Sequence, residues 1–522
     1  MSESYTELRK DEWDNLNYGR VVLHGPNDSR ILRNRRISFS LLLNTRLNLN
    51  PNISIADVEF SDCIFIDPVI IGDFLSAGNI HFNDCKFESE VKINQRDNVR
   101  FEGSCTFKRN LSIMSFDRVT DLSNIIVDGQ LWIAGRSGAS LSMSGITANK
   151  QPTFLGIDFP SVHITKCEFG NIQFTGLTDV DGDISIDNSK IAKIDFFAMK
   201  VGGAFRITDS ELEDISSHDE NKLGERLVIE GSTIKSIALP LSCFNEFEIS
   251  GNNIEYLELT GDNKKDCVAI LQRNTISKML LNSIHNDGQL SFREVQLPRG
   301  GIIQLKSSNL GKTDFILCNF EKAQLEFQSS KMTEIFVSET EFPKNVVTNG
   351  QINHRQAQLA FGQISAAFQK QGDTVRALDY QAREIEAHYR QLNLIEKKTG
   401  KISFTKISLW LNKWSNDFGR NWQRAVLFSI LAGLFFFYLV VISSKEYNFG
   451  FGFGHDPWLI PSYYRFMNPL RFFELESIFR MGQEKPFLTL NGWSYFFDLM
   501  GRVFVAYGFY QTIQAFRKYG RK

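Results

Sequence analysis

Val162-His-Ile164-Thr-Lys-Cys167-Glu-Phe169-Gly-Asn-Ile172-Gln-Phe174 decides the fold. Apolar side chains alternate at Val162 and Ile164, and again at Ile172 and Phe174, around a small residue, Cys167. Alternation at spacing two lines one face of a short strand, and the irregular step between two such sets demands a bend. The pattern recurs down the chain. Ile184-Ser-Ile186 leads to Ser189, Ile191, Ile194 and Phe196, and Phe205-Arg-Ile207 leads to Ser210, Leu212 and Ile215. Leu227 and Ile229 lead to Ser232, Ile234, Ile237 and Leu239, and Phe247 and Ile249 to Asn252, Ile254, Leu257 and Leu259. Further copies centre on Asn274, Ser308 and Ser330, and earlier ones on Cys63, Cys85 and Cys105.

The centres stand about 20 to 22 residues apart, a period that marks a solenoid and not a globular core. Ser, Asn, Asp and Gly fill the bends, as in Asp187-Asn188-Ser189. The expected fold class is a mainly β solenoid, a parallel β-helix, followed by a helical hairpin and a two-helix transmembrane domain. Coils at roughly 4.8 Å, some thirteen in number, predict a rod of about 60 Å. The alternative is a leucine-rich horseshoe, because Ile254-Glu-Tyr-Leu257-Glu-Leu259 nearly fits that template. No recurring helical segment completes such a repeat, which favours the β-helix.

A chain of 522 residues exceeds what one core usually organises. Its 58 basic and 60 acidic residues cancel to a net charge of −2, so any site for nucleic acid or anionic lipid must be local. The polar start MSESYTELRKDEWDNLNYGR lacks a secretory signal, and a cytosolic solenoid is expected. Seven cysteines at 63, 85, 105, 167, 243, 267 and 318 show no metal-ligand spacing and read as reduced, buried stacking residues. Asp179-Val-Asp181-Gly-Asp183 departs from a calcium loop, having glycine at its fourth position and Lys190 at its twelfth. No phosphate loop, metalloprotease helix or nucleophile elbow occurs, so no enzyme activity, cofactor or metal is expected. The best local anion candidate is Arg30-Ile-Leu-Arg33-Asn-Arg35-Arg36, whose guanidinium groups suit bidentate phosphate contacts; the alternative is a solvated cap on the first coil.

Past residue 351 the period turns helical. Phe361, Ile364 and Phe368 form one stripe and Val375, Leu378, Ala382, Ile385, Tyr389 and Leu392 another, either side of Gly372-Asp373. These stripes are expected to bury against the last coil or a neighbouring subunit. Phe404 to Arg424 is amphipathic, with Trp410, Trp414, Phe418 and Trp422 suited to a bilayer surface. Ala425 to Ser443 is free of charge and long enough to cross the hydrocarbon layer. A second span, Trp493 to about Phe516, carries Asp498 and Arg502 at i, i+4, where they can pair. Asp498, Gly501, Val505, Gly508 and Thr512 form a small or polar stripe that either lines a pore or packs a helix. Lys406, Lys413, Arg420 and Arg424 precede the first span, and Arg517, Lys518, Arg521 and Lys522 follow the second; both termini are expected in the cytoplasm of a multi-pass inner-membrane protein. In the intervening loop, Pro469 to Gly482 is expected at the interface, and Gly450-Phe-Gly452-Phe-Gly454-His-Asp456 only faintly suggests a filter.

The domains expected are an N-terminal cap over 1–53, a solenoid sensor over 54–345, a hairpin linker over 351–400, an interfacial segment over 401–424, and a two-span domain over 425–516 with an extracytoplasmic loop at 444–491. The run Phe418-Gly419-Arg420-Asn421-Trp422-Gln423-Arg424-Ala425 and the closing Tyr510-Gln511-Thr512-Ile513-Gln514-Ala515-Phe516-Arg517-Lys518, after Gln371-Gly372-Asp373, resemble bacterial pentapeptide-repeat-like β-helix membrane proteins with two-span, channel-like C-termini. The likeness covers roughly residues 54 to 522 and departs in the coils, which lack a strict five-residue repeat. The layout is also similar to the channel effectors of the Hailong antiphage defence system. That likeness implies a homo-oligomer, a tetramer, in the lipid bilayer, held shut by single-stranded DNA oligomers or a nucleotide ligand supplied by a cognate nucleotidyltransferase, with the arginines at 30, 33, 35 and 36 or the basic bends holding phosphates. Two spans cannot enclose an aqueous path alone, so a ligand-gated pore needs several chains, with Asp498 and Arg502 as its gating or conducting residues. The alternatives are a non-conducting tethered scaffold and a tethered carbohydrate-active enzyme, the latter without the clustered carboxylates it needs.

Overall fold

A computed structural model describes residues 58–520 apart from 72–79, 95–98, 115–119, 137–139, 176–177, 197–198, 218–222, 349, 396–401, 448–457, 469–474 and 481–487. Before residue 58 it describes the strands Thr6–Leu8, Arg30–Arg33, Arg35–Ile37 and Leu41–Leu43 as backbone. The chain divides into two units, Met1–Asn345 and Val346–Lys522.

The first unit is a parallel β-solenoid of about 12 turns, consistent with a pentapeptide-repeat-like β-helix. Val162 stands on Ile184, Ile184 on Phe205, Phe205 on Leu227 and Leu227 on Phe247, every pair parallel. From residue 58 onward one coil takes from 19 residues, where Ile80 meets Val99, to 24, where Lys278 meets Ile302, and before it 28, where Arg30 meets Val58. Each early coil holds three strands, as in Ile80–Asn83, Lys86–Phe87 and Val91–Asn94. No α-helix interrupts the described coils, which removes the horseshoe alternative. The parallel ladder also extends upstream of residue 54, with Arg30 on Val58, Arg36 on Ile64 and Leu41 on Val69. Arginines occupy strand positions there, so the apolar alternation that marks later coils is missing from the sequence.

Identical positions stack because the coils superpose. Phe60, Phe82 and Phe101 lie face to face at 5.2 and 5.4 Å, and Phe65, Phe87 and Phe107 at 4.7 and 4.6 Å. One corner of each coil is turned by a residue with positive φ, among them Asp62, Asp84, Asn124, Asn188 and Asp209, with Gly231 and Gly251 continuing the column at φ 64° and 68°. Asn, Asp and Gly tolerate this left-handed region best, which explains the bend composition.

The residue after each corner points inward and makes a second ladder. The Cys167 amide donates to Ser189 Oγ at 3.1 Å, the Ser189 amide to Ser210 Oγ and the Ser210 amide to Ser232 Oγ, both also at 3.1 Å. The Ser232 amide donates to Asn252 Oδ1 at 2.8 Å, and the Asn252 amide to Asn274 Oδ1 at 3.0 Å. Asn274 Nδ2 completes the link by donating to the Ile249 carbonyl at 2.7 Å. Asn274→Ala therefore removes the acceptor of the buried Asn252 amide, one of the two bonds of Asn252 Nδ2 and the donor to the Ile249 carbonyl, costing about 1–3 kcal/mol. The expected result is a lower urea midpoint with faster hydrogen exchange at the Asn252 amide; native-like exchange there would mean that the ladder does not hold the corner.

Cysteines fill this column where serine does not. All seven are free and buried, as expected. Cys85 Sγ donates to the Phe60 carbonyl at 3.3 Å, and Cys318 Sγ to the Phe292 carbonyl at 3.4 Å. Burial pushes the Cys105, Cys167 and Cys318 thiols up to about 11, so thiolate chemistry is suppressed.

The second unit is helical. Helices α1 (His354–Lys370) and α2 (Thr374–Gln391) form a hairpin whose turn uses Gly372 at φ 81°, and Asp373 Oδ1 caps α2 by accepting the Arg376 amide at 3.0 Å. The α1 stripe buries against α2, on a face other than the expected second stripe: Phe361 and Phe368 sit 6.2 and 5.5 Å from Tyr380. The buried face of α2 is Ala377, Tyr380, Ala382 and Ala387, while Val375 is exposed. Small residues opposite the large rings of α1 allow close approach, so α2 turns its alanines inward rather than its aliphatic stripe. Beyond the hairpin come α3 (Phe404–Asn416), α4 (Trp422–Ile442), α5 (Leu459–Phe466), α6 (Leu475–Ile478) and α7 (Gly492–Gly520).

Candidate membrane site

Helix α4 is the one described helix long and apolar enough to cross a membrane. Helix α7 has 29 residues, ample length, but Asp498, Arg502 and its polar aromatic composition leave it short of that measure. The expected pair of spans is therefore met by one helix on composition, and multi-pass topology belongs to the functional reading below.

Helices α4 and α7 pack along small residues. On α7 the buried positions are Ser494, Asp498, Gly501, Val505, Gly508, Gln511 and Ala515, each three or four residues from the last. They face Ala425, Ser429, Gly433 and Phe437, spaced by four along α4. A Cβ on Gly508 would collide with Ser429 Oγ, and one on Gly501 would meet the Phe466 ring at 2.6 Å. Of the two roles left open for this stripe, packing is what the single chain exhibits for Gly501, Val505 and Gly508. Thr512 is half-buried and donates back to the Gly508 carbonyl at 2.9 Å.

Asp498 and Arg502 do pair. Arg502 Nε and one Nη each reach Asp498 Oδ2 at 3.0 Å, two guanidinium nitrogens on one carboxylate oxygen, with the carboxylate buried and the guanidinium half-exposed. The outward faces are apolar. Leu427, Ile430, Leu431, Leu434 and Phe435 on α4, and Phe496, Leu499, Val503, Tyr510 and Ile513 on α7, are each 44 to 61 % exposed.

The approach to α4 is a tight elbow. Asp417, Phe418 and Gly419 have φ of 51°, 56° and 84°, and the fully buried Asn416 donates through Nδ2 to Gln511 Oε1 on α7. Arg420 reaches back to α2, with Nη1 3.2 Å from Glu386 and Nε 3.7 Å from Asp379. Burial alone would raise the Glu386 carboxyl, but Arg390 and Arg420 together hold it below the ordinary glutamate range. The clamp is accordingly at full strength above that range and is lost as pH falls through the lowered value. Lys406 and Lys413 lie over the Tyr389 ring, at 3.5 and 5.4 Å from its centroid. Three of the four basic residues read as flanking charges thus fasten the elbow to the hairpin; Arg424 alone of them is exposed at the start of α4.

The segment between α4 and α7 folds back onto them. Leu475, Ile478 and Phe479 are buried in a cluster with Phe437, Val440, Val441, Phe466 and Leu488, so this part of the stretch from Pro469 to Gly482 packs inward. Ser462 Oγ on α5 donates to the Ile478 carbonyl at 3.1 Å. Tyr463 Oη donates to the Ile430 carbonyl at 2.9 Å, and Met467 Sδ fills the space where a Cβ on Gly433 would stand. The filter-like stretch from Gly450 to Asp456 lies outside the described residues.

Within the solenoid, Arg30, Arg33, Arg35 and Arg36 lie on two paired strands, and their side chains lie outside the described residues. Asp183, from the rejected calcium loop, accepts the Ala204 amide at 2.8 Å and faces Arg206 at 3.5 Å. Among the described residues no cluster of three or more metal-type ligands occurs. A groove of about 660 Å³, invisible as a motif, crosses several coils between two columns of strand residues. Glu168, Lys190 and Glu211 stand in register along one column, and Glu213, Lys235 and Glu255 line the other. Four carboxylates against two ammonium groups oppose a phosphodiester backbone there.

No family model, no curated protein and no solved structure matches this chain. Fold and site define a class: a long parallel β-solenoid joined to C-terminal helices, one of which is a candidate membrane span.

Proposed function

We propose that this protein is a membrane effector that forms a homo-oligomeric ion channel gated by a cytoplasmic ligand sensed by the solenoid. The observation that carries the reading is the inverted dressing of α4 and α7, with glycine, serine, alanine and an ion pair turned inward and large apolar side chains outward. Water would penalise that surface, whereas hydrocarbon accepts it, and small-residue faces are what membrane helices use to approach closely. Helix α7 serves as the second crossing, its charges directed into the protein. One pair of helices encloses no aqueous path, so several copies assemble, and the resemblance to Hailong channel effectors suggests four.

In this reading both termini are cytoplasmic, with Arg424 in the first turn of α4 and Arg517, Lys518, Arg521 and Lys522 at the end of the chain on that side. Single-stranded DNA oligomers from a cognate nucleotidyltransferase are the proposed ligand, held by Arg30, Arg33, Arg35 and Arg36, and opening depolarises the inner membrane during phage attack. The second reading, a non-conducting tethered scaffold, is favoured by the mixed-charge groove, which suits a protein partner better than a nucleic acid. Intact protein reconstituted in planar bilayers, with and without single-stranded DNA oligomers, separates the two. Stepwise conductance that the oligomer alters supports the channel; silence under both conditions, with insertion verified, overturns it in favour of the scaffold.

A further inference from the structure

Helix α5 reaches the middle of the candidate span. Its Tyr463 bonds the carbonyl of Ile430, and Met467 fills the notch at Gly433, which lies nine residues, about 14 Å of helix, from the α4 end at Ile442. Phe466 occupies the matching notch at Gly501 on α7 and packs 5.5 Å from Phe437. Both glycines are where a side chain would expel α5, so the notches are built to receive it. Half a hydrocarbon layer is about 15 Å, which puts the C-terminal end of α5 near the bilayer midplane.

At that depth α5 turns Tyr464 and Arg465 outward, and Asn468, just past its end, is exposed beside them. Tyr464 is 72 % exposed. A guanidinium facing acyl chains at mid-depth is strongly disfavoured, and non-helical backbone entering the membrane is tolerated only where protein buries it or water reaches it. The apolar faces of α4 and α7 are dressed for lipid, whereas this face is not. We infer that α5 is a re-entrant helix whose Tyr464 and Arg465, with Asn468 just past its end, line a water-filled cleft at mid-membrane depth, bounded by neighbouring copies of the chain. The inference rests on the channel reading for the origin of its walls, and it assigns to Arg465 the charge nearest the permeating ions.

The test uses full-length protein in cells, with Tyr464→Cys, Arg465→Cys or Asn468→Cys added singly. The native thiols are all buried and give little background. Membrane-impermeant methanethiosulfonates of either charge are applied from outside, with Leu431→Cys as a lipid-facing comparison at similar depth. Labelling at 465 and 468 roughly ten-fold faster than at 431, and a conductance change of about two-fold or more on modification, are expected. Labelling as slow as at 431 overturns the cleft even if the protein conducts. Fast labelling in a protein that never conducts leaves the cleft standing and removes the channel.

Discussion

Replacing Arg502 with leucine will lower the melting temperature of the intact protein more than any other single side-chain truncation on α7. The substitution leaves the Asp498 carboxylate, 7 % exposed as a side chain, buried in the α4–α7 crossing without the guanidinium that answers it. Breaking a buried pair from one side costs about 3–5 kcal/mol, because the remaining charge keeps its desolvation penalty and loses its attraction. The matching experiment is the double variant Asp498→Leu with Arg502→Leu, which should regain most of the loss, since a buried pair is often no better than apolar side chains of similar volume. Thermal unfolding in lipid nanodiscs reads both. Equal destabilisation by the single and the double variant would mean that the pair is not a coupled unit. The nearly isosteric Asp498→Asn serves the functional question: altered toxicity with normal insertion is expected of a gating residue, and unchanged toxicity would remove that assignment.

The second large effect is expected at Gly508. Valine there drives Cβ against Ser429, overlapping its Oγ and standing 3.1 Å from its Cα, so the helices must separate rather than a side chain swing aside. Overpacking of this kind costs about 1–3 kcal/mol and unseats neighbours, here Val505 and the Asn416–Gln511 bond one turn away. Gly508→Val is expected to shift the melting transition downward and Ser429→Gly in the same chain to restore part of it. Native mass spectrometry gives the assembly state; an unshifted transition would show that the helices are not in close contact.

The solenoid was legible because superposed coils force one residue class into each corner. Val162, Ile184, Phe205, Leu227 and Phe247 announce a column by their spacing alone, and Ser189, Ser210 and Ser232 announce the small residue beside it. Of the first strands, the run from Ile37 to Leu43 reads as strand-like, whereas Arg30–Arg33 does not, since Arg30, Arg33, Arg35 and Arg36 break the apolar alternation. On α7 the Asp498–Arg502 pair and the small stripe could be read from spacing. The residues they meet could not, because Ser429 and Gly433 lie some seventy positions away. Helix α5 escaped for the same reason: Leu-Ile-Pro-Ser-Tyr-Tyr-Arg-Phe carries no helical signature strong enough to place, and its seat at Gly433 and Gly501 is a tertiary fact. Lys406 and Lys413 looked like flanking charges because nothing in sequence links them to Tyr389.

The corner ladder of the solenoid has a direction. From Cys167 to Asn252 every backbone amide that donates belongs to the earlier coil and the side chain that accepts it to the coil that follows. A ribosome releases the donor first, and at about 5–20 residues per second the next coil takes on the order of seconds to emerge. The growing tip of the nascent rod therefore always bears an amide awaiting its acceptor, and each new coil seals the one before it. Shortening the rod from its start leaves the remaining corners sealed, whereas every cut from the other end exposes one.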